Sequence, residues 1–188
     1  MSDAIGDLVA VLNDITANET DPVVIIERVK PIAVNLAEET SWVRPEFYEV
    51  DEMQGIGINI LNQEDNDTNL VEVISWLPGL GVAPHDHQTW GVVVGIDGTE
   101  MNIEWRRLDD GSEPGFAELE KIRETKICKG DVVAFLPNDI HSVRNDGDRP
   151  SLSLHIYGRV LANLERSEFD PINNHQRPCP QRVRKPVD

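Results

Sequence analysis

Two histidines stand one residue apart in Pro84-His85-Asp86-His87-Gln88-Thr89-Trp90-Gly91, at the start of the apolar run Trp90 to Ile96. Alternate side chains of a β-strand share a face, so on a strand both imidazoles point the same way and make half of a metal site. The competing reading is two solvated loop histidines. A third histidine, His141, favours the metal. It lies in Gly130-Asp131-Val132-Val133-Ala134-Phe135-Leu136-Pro137-Asn138-Asp139-Ile140-His141, which reads as a glycine turn, a buried strand, a proline turn and a strand carrying the histidine.

A further segment, Ser151-Leu152-Ser153-Leu154-His155-Ile156-Tyr157-Gly158, alternates strictly. Leu152, Leu154 and Ile156 make one face; Ser153, His155 and Tyr157 make the other. A half-buried strand ordinarily turns its polar face to water. The second reading is a hydrogen-bonded row inside a barrel, with Ser153 orienting His155 and His155 holding the Tyr157 hydroxyl. The absence of Lys and Glu from that face favours the row.

These residues need elements to position them. Residues 3–17 predict a helix with Ile5, Leu8, Val9, Leu12 and Ile15 on one stripe. Asp21-Pro22 predicts the start of a second helix, to about Glu39, which Pro31 should bend or divide. This pair should pack against the outside of the strands that come after it in the chain. From Trp42 onward the pattern is that of strands: 56–60, 70–77, 101–105, an exposed charged edge at 118–127, 132–136, 140–143 and 152–157. Eight or more short strands with Gly/Pro turns imply an all-β sandwich or closed barrel. Residues 161–168 predict a short helix, and the proline-rich tail from Asp170 should lie extended or loosely ordered. One domain suits 188 residues: a helical segment 1–40, a barrel 42–160 and an extension 161–188.

Seventeen basic against thirty-four acidic side chains give a net charge of −17, which argues against nucleic acid or an anionic membrane as partner. An anionic substrate would need a local cation, either a metal or an arginine. Cys128 and Cys179 have no metal-type spacing and provide no disulfide framework. The start Met1-Ser2-Asp3 lacks a basic-then-apolar signal, and no apolar run approaches the ~20 residues that span a bilayer. A soluble, cytoplasmic protein is the expectation.

The His pair and the His141 segment together resemble the two-part signature of the cupin superfamily, small jelly-roll or double-stranded β-helix barrels. Gly81, His85, His87 and Gly95 match the first part; Gly130, Pro137, His141 and Asn145 match the second. The resemblance spans roughly residues 55–160. It departs at one place: Gly91 stands four residues after His87, where the pattern has a Glu. Three neutral imidazoles leave a site dicationic, with about three octahedral positions open. A thiolate could then supply the missing negative charge, and coordination lowers a thiol pKa from its usual ~8.5.

Three histidines without the Glu, combined with Ser-x-His-x-Tyr, resemble the thiol dioxygenases, above all the bacterial 3-mercaptopropionate branch. The resemblance implies non-haem Fe(II), a small thiol and O₂ as substrates, and a sulfinic acid as product. It implies His85, His87 and His141 as iron ligands, Ser153, His155 and Tyr157 as the outer row, and Arg166, nine residues beyond Tyr157, as the carboxylate-binding residue. Arg159 is a second candidate for that role. The cysteine–tyrosine cross-link of some cysteine dioxygenases is ruled out by Gly91 and Val92. Trp76 and Trp90 read as core, and the position of Gln54 is open. Two other readings stand beside this one: a cupin dioxygenase acting on carbon, and a non-catalytic cupin that binds zinc or a small molecule as a sensor.

Overall fold

The computed structural model describes residues 3–187. Two helices, α1 (Asp3–Asn18) and α2 (Pro22–Glu38), precede the strands. Asp21 caps α2, its carboxylate accepting from the Val23 N–H at 2.9 Å, with Pro22 at the first helical position where no donor is needed. Pro31 does not divide α2. Pro31 and Glu27, whose carbonyl loses its helical donor, are both on the exposed side, where water can replace the bond.

Residues 42–55 form turns and the 3-10 helix Pro45–Tyr48 rather than strands. Twelve strands follow among the described residues: β1 Ile56–Gln63, β2 Thr68–Trp76, β3 Gly81–His85, β4 Gly91–Asp97, β5 Glu100–Arg107, β6 Leu119–Ile127, β7 Val132–Phe135, β8 Ile140–Arg144, β9 Ser151–Arg159, β10 Ser167–Asp170, β11 His175–Pro178 and β12 Lys185–Pro186. They make two six-stranded sheets, ordered β12-β1-β2-β9-β4-β7 and β11-β10-β3-β8-β5-β6. Two such facing sheets form an all-β jelly roll, the double-stranded β-helix, with the helical pair outside it. β6 is the charged, exposed edge that its sequence indicated.

The helices explain the alternation of β9. Leu152, Leu154 and Ile156 pack with Val71 and Val73 of β2 and Val92 and Val94 of β4 against Ile25, Ile26, Val29 and Ala33 of α2. This face of the first sheet is thus sealed by helix. The other face looks into the barrel, so Ser153, His155 and Tyr157 are buried too. The polar face of β9 is an interior row, not a wet surface.

The end of the chain departs from expectation. Residues 161–168 are not a helix: one 3-10 turn, Leu161–Asn163, leads into β10. β10 is pinned to β3 by Asp86, whose N–H donates to the Ser167 carbonyl at 3.1 Å and whose Oδ1 accepts from the Ser167 N–H at 3.0 Å. Phe169 is buried beside Ala117 and Ile140, which rewards alternation over helix. The tail is extended, and it is attached: β11 pairs with β10, β12 runs parallel to β1, and the Val183 N–H donates to Gln54 Oε1 at 2.8 Å. Among the described residues no helix is long and apolar enough to cross a membrane.

Candidate metal centre

His85, His87 and His141 converge, with ligand atoms within 4.8 Å of one another. β3 and β8 set His85 directly opposite His141. His87 is not on the strand, which ends at His85. A shared strand face therefore does not orient both imidazoles, and other contacts place His87. The Asp86–Ser167 bonds hold the residue before it. The Gln88 N–H donates to the Pro137 carbonyl at 2.9 Å, and Gln88 takes a positive φ of 55°. The imidazole is sandwiched between Phe135 and Tyr157, with centroids at 5.5 and 5.0 Å and interplanar angles of 24° and 29°.

Two of the rings have fixed tautomers. His85 Nδ1 donates to the Ala83 carbonyl at 2.9 Å, leaving Nε2 as a lone-pair donor. His141 Nδ1 donates to Asn102 Oδ1 at 2.7 Å, and its Nε2 is buried without a hydrogen-bond partner. His87 Nδ1 is likewise buried and unpartnered. Burial lowers all three imidazole pKa values, that of His85 to about 4, so the rings are neutral near pH 7. Three neutral imidazoles, two of them with an unmatched buried nitrogen, fit a divalent transition metal.

Gly91 explains the missing Glu. A Cβ there would stand 3.0 Å from two ring carbons of Tyr157. Tyr157 occupies the room that a side chain at position 91 would need. Its hydroxyl bonds His155 Nδ1 at 2.9 Å, and His155 Nε2 bonds Ser153 Oγ at 2.9 Å.

A small cavity of about 60 Å³ lies against the three histidines. One wall is apolar: Ile56, Ile58, Ile74, Trp76, Val82 and Val143. The polar part of the lining is His155, Tyr157, Glu72 and three arginines, Arg166, Arg182 and Arg184. Trp90 belongs to the core under the helices, whereas Trp76 forms part of the cavity wall.

Arg166, expected on a helix, lies in the connection to β10 and is 8% exposed. No carboxylate among the described residues pairs with it, although its charge reaches Glu72 and Asp86. Arg159 is instead spent on Asp67 at the surface, 2.5 Å away. Gln54 is outside the cavity, bonded to the tail.

Sequence reasoning missed the tail's contribution. Arg182 reaches the buried Glu168 at 3.6 Å, and Arg184 reaches the buried Glu72 at 2.7 Å. Four prolines had concealed that two arginines return to the barrel mouth. Burial holds the Glu72 carboxyl above its ordinary pKa although Arg184 and Arg166 pull it down. Arg184→Met should therefore lower unfolding free energy by about 3 kcal/mol, because it strands a buried carboxylate. Urea titration would measure the loss. The loss should shrink in acid, where Glu72 takes a proton, and in the double variant with Glu72→Gln.

No family model matches this sequence. Among solved structures, the chain is similar to a double-stranded β-helix protein from Klebsiella pneumoniae, at 16% identity and TM-score 0.48 over 70% of this chain and 99% of that one. It is similar to a cupin-like protein from Thermotoga maritima, at 16% identity and TM-score 0.44 over 61% and 75%. It is also similar to oxalate decarboxylase from Bacillus subtilis, at 24% identity and TM-score 0.39 over 50% of this chain and 22% of that one. What stands from fold and site is a double-stranded β-helix domain with a three-histidine cluster able to hold a metal.

Proposed function

We propose that the protein is an iron-dependent thiol dioxygenase acting on a small thiol that bears a carboxylate, RS⁻ + O₂ → RSO₂⁻. The observation that carries this reading is the buried row Ser153–His155–Tyr157 ending at a three-histidine cavity that is also lined by Arg166, which has no carboxylate partner among the described residues. A structural zinc site has no use for such a row or for the cavity beside it.

Fe(II) on His85, His87 and His141 would supply open coordination positions and the redox chemistry that lets dioxygen react with a thiolate. The protein's own groups do the rest. Arg166 offers a planar fork of donors to the substrate carboxylate and supplies the local cation that a chain of net charge −17 otherwise withholds. The apolar wall from Ile56 to Val143 excludes water from the substrate's carbon chain. Tyr157 is held by His155 with its hydroxyl on the cavity, positioned to give or receive one hydrogen bond there.

Oxygen uptake by iron-loaded protein across 3-mercaptopropionate, cysteine, mercaptosuccinate and cysteamine tests this. Stoichiometric uptake and sulfinate are expected with a carboxylated thiol, and little with cysteamine. Arg166→Gln should lower kcat/KM for the carboxylated substrate about 100-fold while leaving cysteamine unchanged. Iron-loaded protein that consumes no oxygen with any of the four thiols would refute the proposal and leave the sensor reading.

A further inference from the structure

The geometry points to Glu100 as the far end of the Ser153–His155–Tyr157 row, a positioning residue whose protonation sets whether Tyr157 gives or accepts a hydrogen bond in the cavity. This rests on the reading of Tyr157 as the group that acts there. Glu100 opens β5 and shares its inner face with Asn102, the partner of His141. It is 4% exposed, and its Oε1 has no hydrogen-bond partner. Ser153 and Ser151 lie near enough to its carboxyl to lower its pKa, and the Ser151 Oγ, like Glu100 Oε1, is buried without a hydrogen-bond partner. Its cross-strand neighbour on β6 is Ile127. No charged side chain among the described residues shifts it, and the titratable groups along the row are His155 and Tyr157, the second of which feels its charge.

Ser153 has one O–H, neutral His155 has one N–H, and Tyr157 has one O–H. His155 stays neutral because burial lowers its pKa to about 3. An ionised Glu100 accepts the Ser153 proton. The serine oxygen then accepts from His155 Nε2–H. Nδ1 is left bare and takes the Tyr157 O–H, so Tyr157 meets the cavity as an acceptor. A protonated Glu100 reverses every bond. It donates to Ser153, Ser153 donates to Nε2, Nδ1–H donates to the Tyr157 oxygen, and the phenol proton is free for the cavity. The change takes one proton from solvent and moves no electrons. Burial raises the Glu100 carboxyl to about 7, opposed only by the two serines, so the reversal falls at neutral pH.

Stability should respond with a definite sign. A folded-state pKa above the unfolded value of 4.5 means a penalty absent below that pH, growing as pH rises to about 7 and constant beyond. The parent should lose stability relative to Glu100→Gln across that window.

The test uses metal-free protein labelled with ¹⁵N-histidine, so it stands apart from the thiol reading. In the parent, the His155 ring nitrogens should exchange tautomer, Nδ1–H giving way to Nε2–H, as pH rises through neutrality. The infrared carbonyl stretch of a protonated carboxylic acid should vanish over the same range. Glu100→Gln should lose both steps. Ser153→Ala should keep the infrared step and lose the tautomer step. With iron and a thiol, the parent-to-Glu100→Gln turnover ratio should change across the same pH range. A His155 tautomer that ignores pH in the parent, or that still switches in Glu100→Gln, overturns the assignment. Failure of turnover on every thiol, with the metal-free steps intact, overturns only the thiol reading.

Discussion

His141→Ala should cost the protein its metal and its turnover together. His141 is the histidine that bridges the halves of the site: β8 carries it, β3 places His85 opposite, and β5 supplies the Asn102 oxygen that fixes its tautomer. Removing it leaves two imidazoles, one of them held on a loop. Metal content after dialysis against limiting Fe(II), and oxygen uptake on the same sample, should both fall to background. Asn102→Ala is the graded companion. It keeps three imidazoles but frees the His141 ring, and should weaken metal affinity about 10- to 100-fold. Parent-like metal content in His141→Ala would remove the three-histidine centre from consideration.

The strands were legible because their alternation is a local property, and so was the Asp21-Pro22 helix start. The three histidines were legible as a set through the two-segment pattern, though a shared strand face does not account for His87. Its orientation depends on Ser167, Pro137, Phe135 and Tyr157, all distant in sequence. The face of β9 was readable, and its lack of Lys and Glu favoured an interior row, but what makes it interior was not local. Whether Ser153, His155 and Tyr157 met water or interior depended on helices more than a hundred residues earlier covering the opposite face. The tail was least legible. Its partners, Glu72 and Glu168, sit in strands whose acidic residues look from sequence like solvated positions. The 161–168 helix failed for the same kind of reason, since Asp86 imposes a strand there through one backbone and one side-chain bond that leave no local trace.

Tyr157→Phe separates a rate effect from a structural one. The ring stacks on His87 and fills the space beside Gly91, and phenylalanine keeps both contacts. Only the hydroxyl is lost, with its bond to His155 Nδ1. Fold and iron content should therefore match the parent, with an unfolding free energy within about 1 kcal/mol. Turnover should fall about 100-fold or more, the scale of a positioned proton donor or acceptor. KM for the carboxylated thiol should change little, because Arg166 and the apolar wall are untouched. His155→Ala should reproduce the loss without touching the phenol, since it removes the partner that orients it. A Tyr157→Phe protein as fast as the parent on every thiol would strip the row of its function. A variant that instead lost iron would show that the tyrosine serves only to wedge His87 in place.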